Sequence, residues 1–101
     1  MTLQLSKNSI ESIEEGSFSD LISLKYLDIV LNNLTSLERH AFRGLSNLTI
    51  LKVHINLISS IEYGTFSHLV NLKSLYLQEN RLTSISACMF AGLTSFFRLV
   101  Q

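Results

Sequence analysis

The sequence predicts a repeat solenoid of the α/β class, with one short strand per coil stacked into a parallel sheet. Three observations carry this prediction. Asparagine recurs every 24 residues, at Asn8, Asn32, Asn56 and Asn80. Phenylalanine recurs with the same spacing, at Phe18, Phe42, Phe66 and Phe90. An apolar frame surrounds each pair: two alternating aliphatics precede the asparagine, and two more follow it at two and five residues. Seven frame positions in four units give 28 places for a polar residue, and none holds one. With 47% of the chain hydrophobic, chance would produce that about once in 10⁹ trials, treating positions as independent.

The repeats run approximately over 3–26, 27–50, 51–74 and 75–98, with a fifth starting at 99, in a single array over 1–101. The first carries Leu3, Leu5, Asn8, Ile10, Ile13, Phe18, Leu21 and Leu24. The second has Leu27, Ile29, Asn32, Leu34, Leu37, Phe42, Leu45 and Leu48. The third reads Leu51, Val53, Asn56, Ile58, Ile61, Phe66, Leu69 and Leu72. Leu75, Leu77, Asn80, Leu82, Ile85, Phe90, Leu93 and Phe96 make the fourth. In Leu27-Asp28-Ile29 the alternation turns Leu27 and Ile29 inward and Asp28 outward, which is the period-two signature of a strand. The asparagines are structural: each side chain has a carbonyl and an amide with which to satisfy backbone groups where the chain leaves the sheet. The segment of about ten residues around each phenylalanine lacks helical periodicity, so loops or short 3₁₀ turns are expected there.

The frame resembles the leucine-rich repeat, L-x-x-L-x-L-x-x-N-x-L, which Leu24-Lys25-Tyr26-Leu27-Asp28-Ile29-Val30-Leu31-Asn32-Asn33-Leu34 follows throughout. Its 24-residue unit and late Phe-x-x-Leu-x-x-Leu are similar to the extracellular, receptor-type subclass found in Toll-like receptor, Slit and small-proteoglycan arrays. The resemblance implies a right-handed superhelix, a horseshoe arc with the sheet on its concave face. One departure stands out. That subclass often has Pro-x-Gly-x-Phe on the convex side, whereas this chain has Glu14, Glu38, Glu62 and Ser86 at the proline position. Gly16, His40, Gly64 and Cys88 occupy the glycine position.

Composition excludes several classes. Leu, Ile, Val and Phe total 38 of 101 residues, far from the apolar poverty of a disordered chain. Eight basic and eight acidic residues cancel, and no cationic cluster offers the footprint of a nucleic-acid partner, so none is expected. No apolar run is long enough to enter a bilayer, and Met1-Thr2-Leu3-Gln4-Leu5 lacks the features of a signal peptide. The lone cysteine, Cys88, cannot close an internal disulfide. Each end coil would lose one neighbour and forfeit on the order of 5–10 kcal/mol of burial. The chain is therefore expected to be an uncapped segment of a longer array, with self-association through its ends an open option.

No phosphate-binding loop or metal-ligand motif is present, and His40, His54 and His68 fall at three different repeat positions, so neither a metal, a cofactor nor catalysis is expected. Asn33-Leu34-Thr35 and Asn47-Leu48-Thr49 are sequons, making Asn33 and Asn47 candidate glycan acceptors on a secreted chain. The candidate binding surface is the outward row of the sheet: Tyr26, Asp28, Val30, Ile50, Lys52, His54, Tyr76 and Gln78. Tyr26, Val30, Leu31, Ile50 and Ile55 place apolar side chains at positions expected to be exposed, the composition of an interface core. Asp28 and Lys52 are expected to pair across adjacent strands. The expected function is a non-enzymatic recognition module of an extracellular or cell-surface receptor, binding a protein ligand on the concave face. The alternative is an intracellular leucine-rich-repeat scaffold or adaptor.

Overall fold

In the computed structural model, residues 1–83, Phe90 and the backbone of 98–100 are described. Ile85, Ser86, Cys88, Leu93 and Phe96, given roles above, lie outside them. Among the described residues seven short strands follow in order: β1 Thr2–Gln4, β2 Tyr26–Asp28, β3 Ser36–Leu37, β4 Ile50–Lys52, β5 Ser60–Ile61, β6 Ser74–Tyr76 and β7 Arg98–Val100.

The main sheet has the order β1-β2-β4-β6-β7, parallel throughout. Its register advances by one repeat at each pairing: Leu3 faces Leu27, Leu27 faces Leu51, Leu51 faces Leu75, and Leu75 faces Leu99. The middle residue of each of β2, β4 and β6 is buried between two half-buried neighbours, the alternation that a one-sided strand requires. β3 and β5 form a second, two-stranded parallel sheet that pairs Leu37 with Ile61. Periodicity did not reveal this sheet. At two residues per coil it is too short to show an alternation, and its ladder exists only because the coils stack in register.

The far side of the first three coils is a chain of tight turns whose amides bond three residues back, as in Ala41 to Glu38, Leu45 to Phe42 and Leu48 to Leu45. This is 3₁₀-like geometry in short pieces. Phe42, Phe66 and Phe90 stack through these turns with ring centroids 6.3 and 5.9 Å apart, both pairs tilted by only 11°. The core between sheet and turns contains Leu27, Ile29, Leu34, Phe42, Leu51, Val53, Ile58, Phe66 and Leu75, all without solvent contact. At Gly44 the coils approach so closely that a Cβ would lie 2.7 Å from the backbone of Ser19, and its φ of +96° favours glycine independently.

The asparagine edge joins coil to coil. Asn56 Oδ1 accepts from the amide of Leu34 at 3.1 Å, while Nδ2 donates to the carbonyls of Ile29, Val53 and His54 at 2.9, 3.1 and 3.3 Å. Asn32 bonds in the same way to Ile10, Leu5, Ile29 and Val30. Asn80 reaches Ile58, Val53 and Leu77. Immediately before each asparagine stands a residue in the left-handed region: Lys7, Leu31, Ile55 and Glu79 have φ between +54° and +58°. The backbone turns sharply there, immediately before each asparagine.

Candidate functional site

The sheet face is built by register. Asp28, Lys52 and Tyr76 are direct neighbours across β2, β4 and β6, and Tyr26, Ile50 and Ser74 form the row beside them. Strands about 4.8 Å apart bring long side chains of neighbouring rows into contact. The Lys52 ammonium lies over two rings, 5.3 Å from the centroid of Tyr26 and 5.0 Å from that of Tyr76. Tyr76 also touches the imidazole of His54, with ring centroids 5.7 Å apart. Tyr26, Lys52, Tyr76 and His54 therefore form one continuous aromatic and cationic cluster across three strands.

This arrangement replaces the expected ion pair. Asp28 and Lys52 do not form a salt bridge among the described residues. The cation prefers the faces of two tyrosines, and one Asp28 oxygen instead accepts the amide of Val30 at 3.0 Å. The lysine is held above its ordinary pKa, chiefly by hydrogen bonding to Tyr26 and against a smaller opposing effect of burial; both tyrosines and Asp28 add to the rise. The charge on this face is thus firmly retained at neutral pH. His54 is shifted the other way, first by burial and then by the Lys52 cation, with Asp28 and Glu79 acting in opposition. Its Nδ1 and the Oε1 of Gln78 are buried without a hydrogen-bond partner among the described residues.

The candidate row is not uniformly open. Tyr26, Asp28, Ile50, Lys52, His54, Tyr76 and Gln78 are half-buried. Val30 is a correction: it is only 9% exposed and offers a partner little surface. Alternation breaks down there because the backbone turns into the left-handed Leu31, which carries the outward exposure instead, at 42%.

Two arginines on the convex side are held by the neighbouring coils. Arg39 donates its backbone amide to Glu62 and its Nε to the carbonyl of Tyr63, and Arg43 pairs with Glu15 at 3.2 Å. His40 and His68 pack together with ring centroids 5.7 Å apart. Burial, His40 and Arg43, in that order, lower the pKa of His68.

The repeat geometry defines a class, and the comparisons agree. A family model for the leucine rich repeat matches residues 1–58 and 46–100, and the chain belongs to that family. Its repeats are of the Toll-like receptor kind. Toll-like receptor 3 of Boselaphus tragocamelus is 40% identical over 52 residues, covering 52% of this chain and 6% of that receptor. Toll-like receptor 3 of Bos taurus is 45% identical over 47 residues, 46% of this chain and 5% of the receptor. A crystal structure of a TLR13–ssRNA13 complex matches with a TM-score of 0.92 and 34% identity, over 97% of this chain and 14% of that one.

That complex overturns the exclusion of nucleic acid drawn from balanced charge. Net charge averages every face of a chain, whereas a ligand meets only one of them. Balanced charge therefore does not exclude a nucleic-acid ligand.

Proposed function

We propose that this chain is a recognition segment of a Toll-like-receptor-type ectodomain and meets its ligand on the sheet face, centred on Tyr26, Lys52 and Tyr76. The observation that carries this reading is the Lys52 ammonium between two tyrosine rings on neighbouring strands. It combines large amphipathic area with a charge whose position is fixed before a ligand arrives. The same observation favours a protein ligand at this segment. Both rings are already partly covered by the cation, and Asp28 and Glu79 lie close enough to influence neighbouring titrations. Catalysis has no part in this reading, and the kinship with Toll-like receptors supports an extracellular or endosomal setting over an intracellular scaffold.

A second reading is supported by the TLR13–ssRNA13 structure: single-stranded RNA, with bases stacking on Tyr26 and Tyr76. The two separate in the full-length receptor that carries this segment. Tyr26→Ala, Lys52→Ala and Tyr76→Ala should each weaken ligand binding at least tenfold, with Glu38→Ala and Tyr63→Ala nearly silent. A steep loss of affinity between 50 and 200 mM salt would favour RNA. Losses confined to Glu38, Arg39, Glu62 and Tyr63 would move the site to the convex side and defeat both readings.

A further inference from the structure

The two sequons differ in what the fold does with their asparagines, and the repeats provide an internal control for each. Asn47 donates Nδ2 to the carbonyl of Ile22 in the preceding coil at 2.7 Å, and Thr49 donates its hydroxyl to Lys25 at 2.9 Å. Twenty-four residues later, Asn71 makes the same bond to Ser46 at 2.7 Å, although Lys73 leaves it without a sequon. An asparagine at this repeat position is thus explained by coil stacking alone.

Asn33 has no such explanation. Its equivalents are Ser9, Leu57 and Arg81, three unrelated side chains, so the fold does not require asparagine here. Coil stacking uses only the backbone: the amide of Asn33 donates to Ile10, as those of Leu57 and Arg81 donate to Leu34 and Ile58. The Asn33 side chain is exposed, and its side-chain amide makes no hydrogen bond among the described residues.

We propose that Asn33, and not Asn47, carries an N-linked glycan in the folded chain. The inference rests on the ectodomain reading, because the modification needs the secretory route. In the transfer, Nδ2 of Asn33 attacks the anomeric carbon of a lipid-pyrophosphate-linked oligosaccharide. The C–N bond forms, the bond from that carbon to the pyrophosphate oxygen breaks, the lipid pyrophosphate leaves with the bonding pair, and one amide proton passes to a base. At Asn33 the sugar projects into solvent beside the asparagine edge. On Asn47 it would be attached to a nitrogen seated against the neighbouring coil.

The test expresses the whole chain behind a cleavable secretion leader in mammalian cells, so that entry into the secretory route is imposed. The secreted protein should lose the mass of one glycan on N-glycosidase treatment, with the resulting aspartate mapped to position 33 by peptide mass spectrometry. Asn33→Gln and Thr35→Ala should each abolish the shift while leaving the melting temperature of the deglycosylated protein unchanged. Asn47→Gln should keep the shift and lower that temperature. A bare Asn33 on the leader-driven chain, or a glycan mapped to Asn47 in the folded secreted fraction, overturns the proposal. Failure of the ectodomain reading has a separate signature: a glycan at Asn33 on the leader-driven chain but cytosolic residence of the native protein.

Discussion

The first and third coils carry the same frame, differing only in Leu5 against Val53, yet the structure treats them differently. In the third coil, Leu51 and Val53 are sealed from solvent and Asn56 is only 6% exposed, with four bonds reaching two coils. In the first, Leu3 and Leu5 are half-buried. Asn8 is exposed, and among the described residues its side-chain amide bonds only Leu5 and Ser6 of its own coil. The residues are alike, but their neighbours are not. In a stacked array the energetic weight of a position is set by the interfaces it joins, so a motif residue has no fixed value.

The sharpest way to break that comparison is in the phenylalanine stack. Phe66→Ala removes a ring fully enclosed between Phe42 and Phe90 and should cost about 3–5 kcal/mol in denaturant melts. Leu3→Ala, half-buried already, should cost less than about 2 kcal/mol. Comparable losses would mean that the coils do not differ in packing. Next in size is the asparagine edge. Asn56→Ala leaves buried backbone groups unpaired and should destabilise by about 1–3 kcal/mol. Asn8→Ala and Asn33→Ala should stay within about 0.5 kcal/mol.

On the sheet face the effects shrink. Lys52→Ala forfeits two partly solvated ring contacts, about 0.5–1 kcal/mol in all, and Gln4→Ala at the corresponding place in β1 should be close to neutral in the same thermal melts. Smallest is the dependence on pH, which belongs to the interior coils because the first has no histidine. Burial holds His54 and His68 below their ordinary value, so over this range the unfolded chain binds more protons than the native one. Their contribution is complete above about pH 6.5 and is lost as the pH falls below it. The denaturant midpoint should be lower at pH 5 than at pH 7.5, by less in His54→Gln.

Architecture was legible because it is periodic. A strand, an asparagine and a phenylalanine every 24 residues determine a one-strand coil, and stacking such coils allows only a parallel sheet. Features expressed by backbone alone stayed hidden. β3 and β5 use Ser36-Leu37 and Ser60-Ile61, which have no distinctive pattern. The Asn47 and Asn71 bonds escaped notice because only two of the four units hold asparagine there, although their 24-residue separation was a usable signal. On the sheet face, the alternation located Tyr26, Lys52 and Tyr76. The preference of Lys52 for rings over Asp28 depended on side-chain reach, which linear order does not encode.

The residues before the asparagine edge have a consequence for arrays of any length. Lysine, leucine, isoleucine and glutamate all adopt a backbone conformation that costs an L-residue roughly 1–2 kcal/mol, and a β-branched residue such as Ile55 is especially ill suited to it. Because the conformation recurs once per coil, its cost is extensive: doubling the coils doubles the penalty. Each new interface must therefore exceed a fixed toll before it adds any net stability, which sharpens the cooperativity of the whole array. It also marks a series of equivalent dials. Glycine or asparagine at 7, 31, 55 or 79 relaxes one coil at a time without touching the core, so the rigidity of a stacked array can be graded along its length.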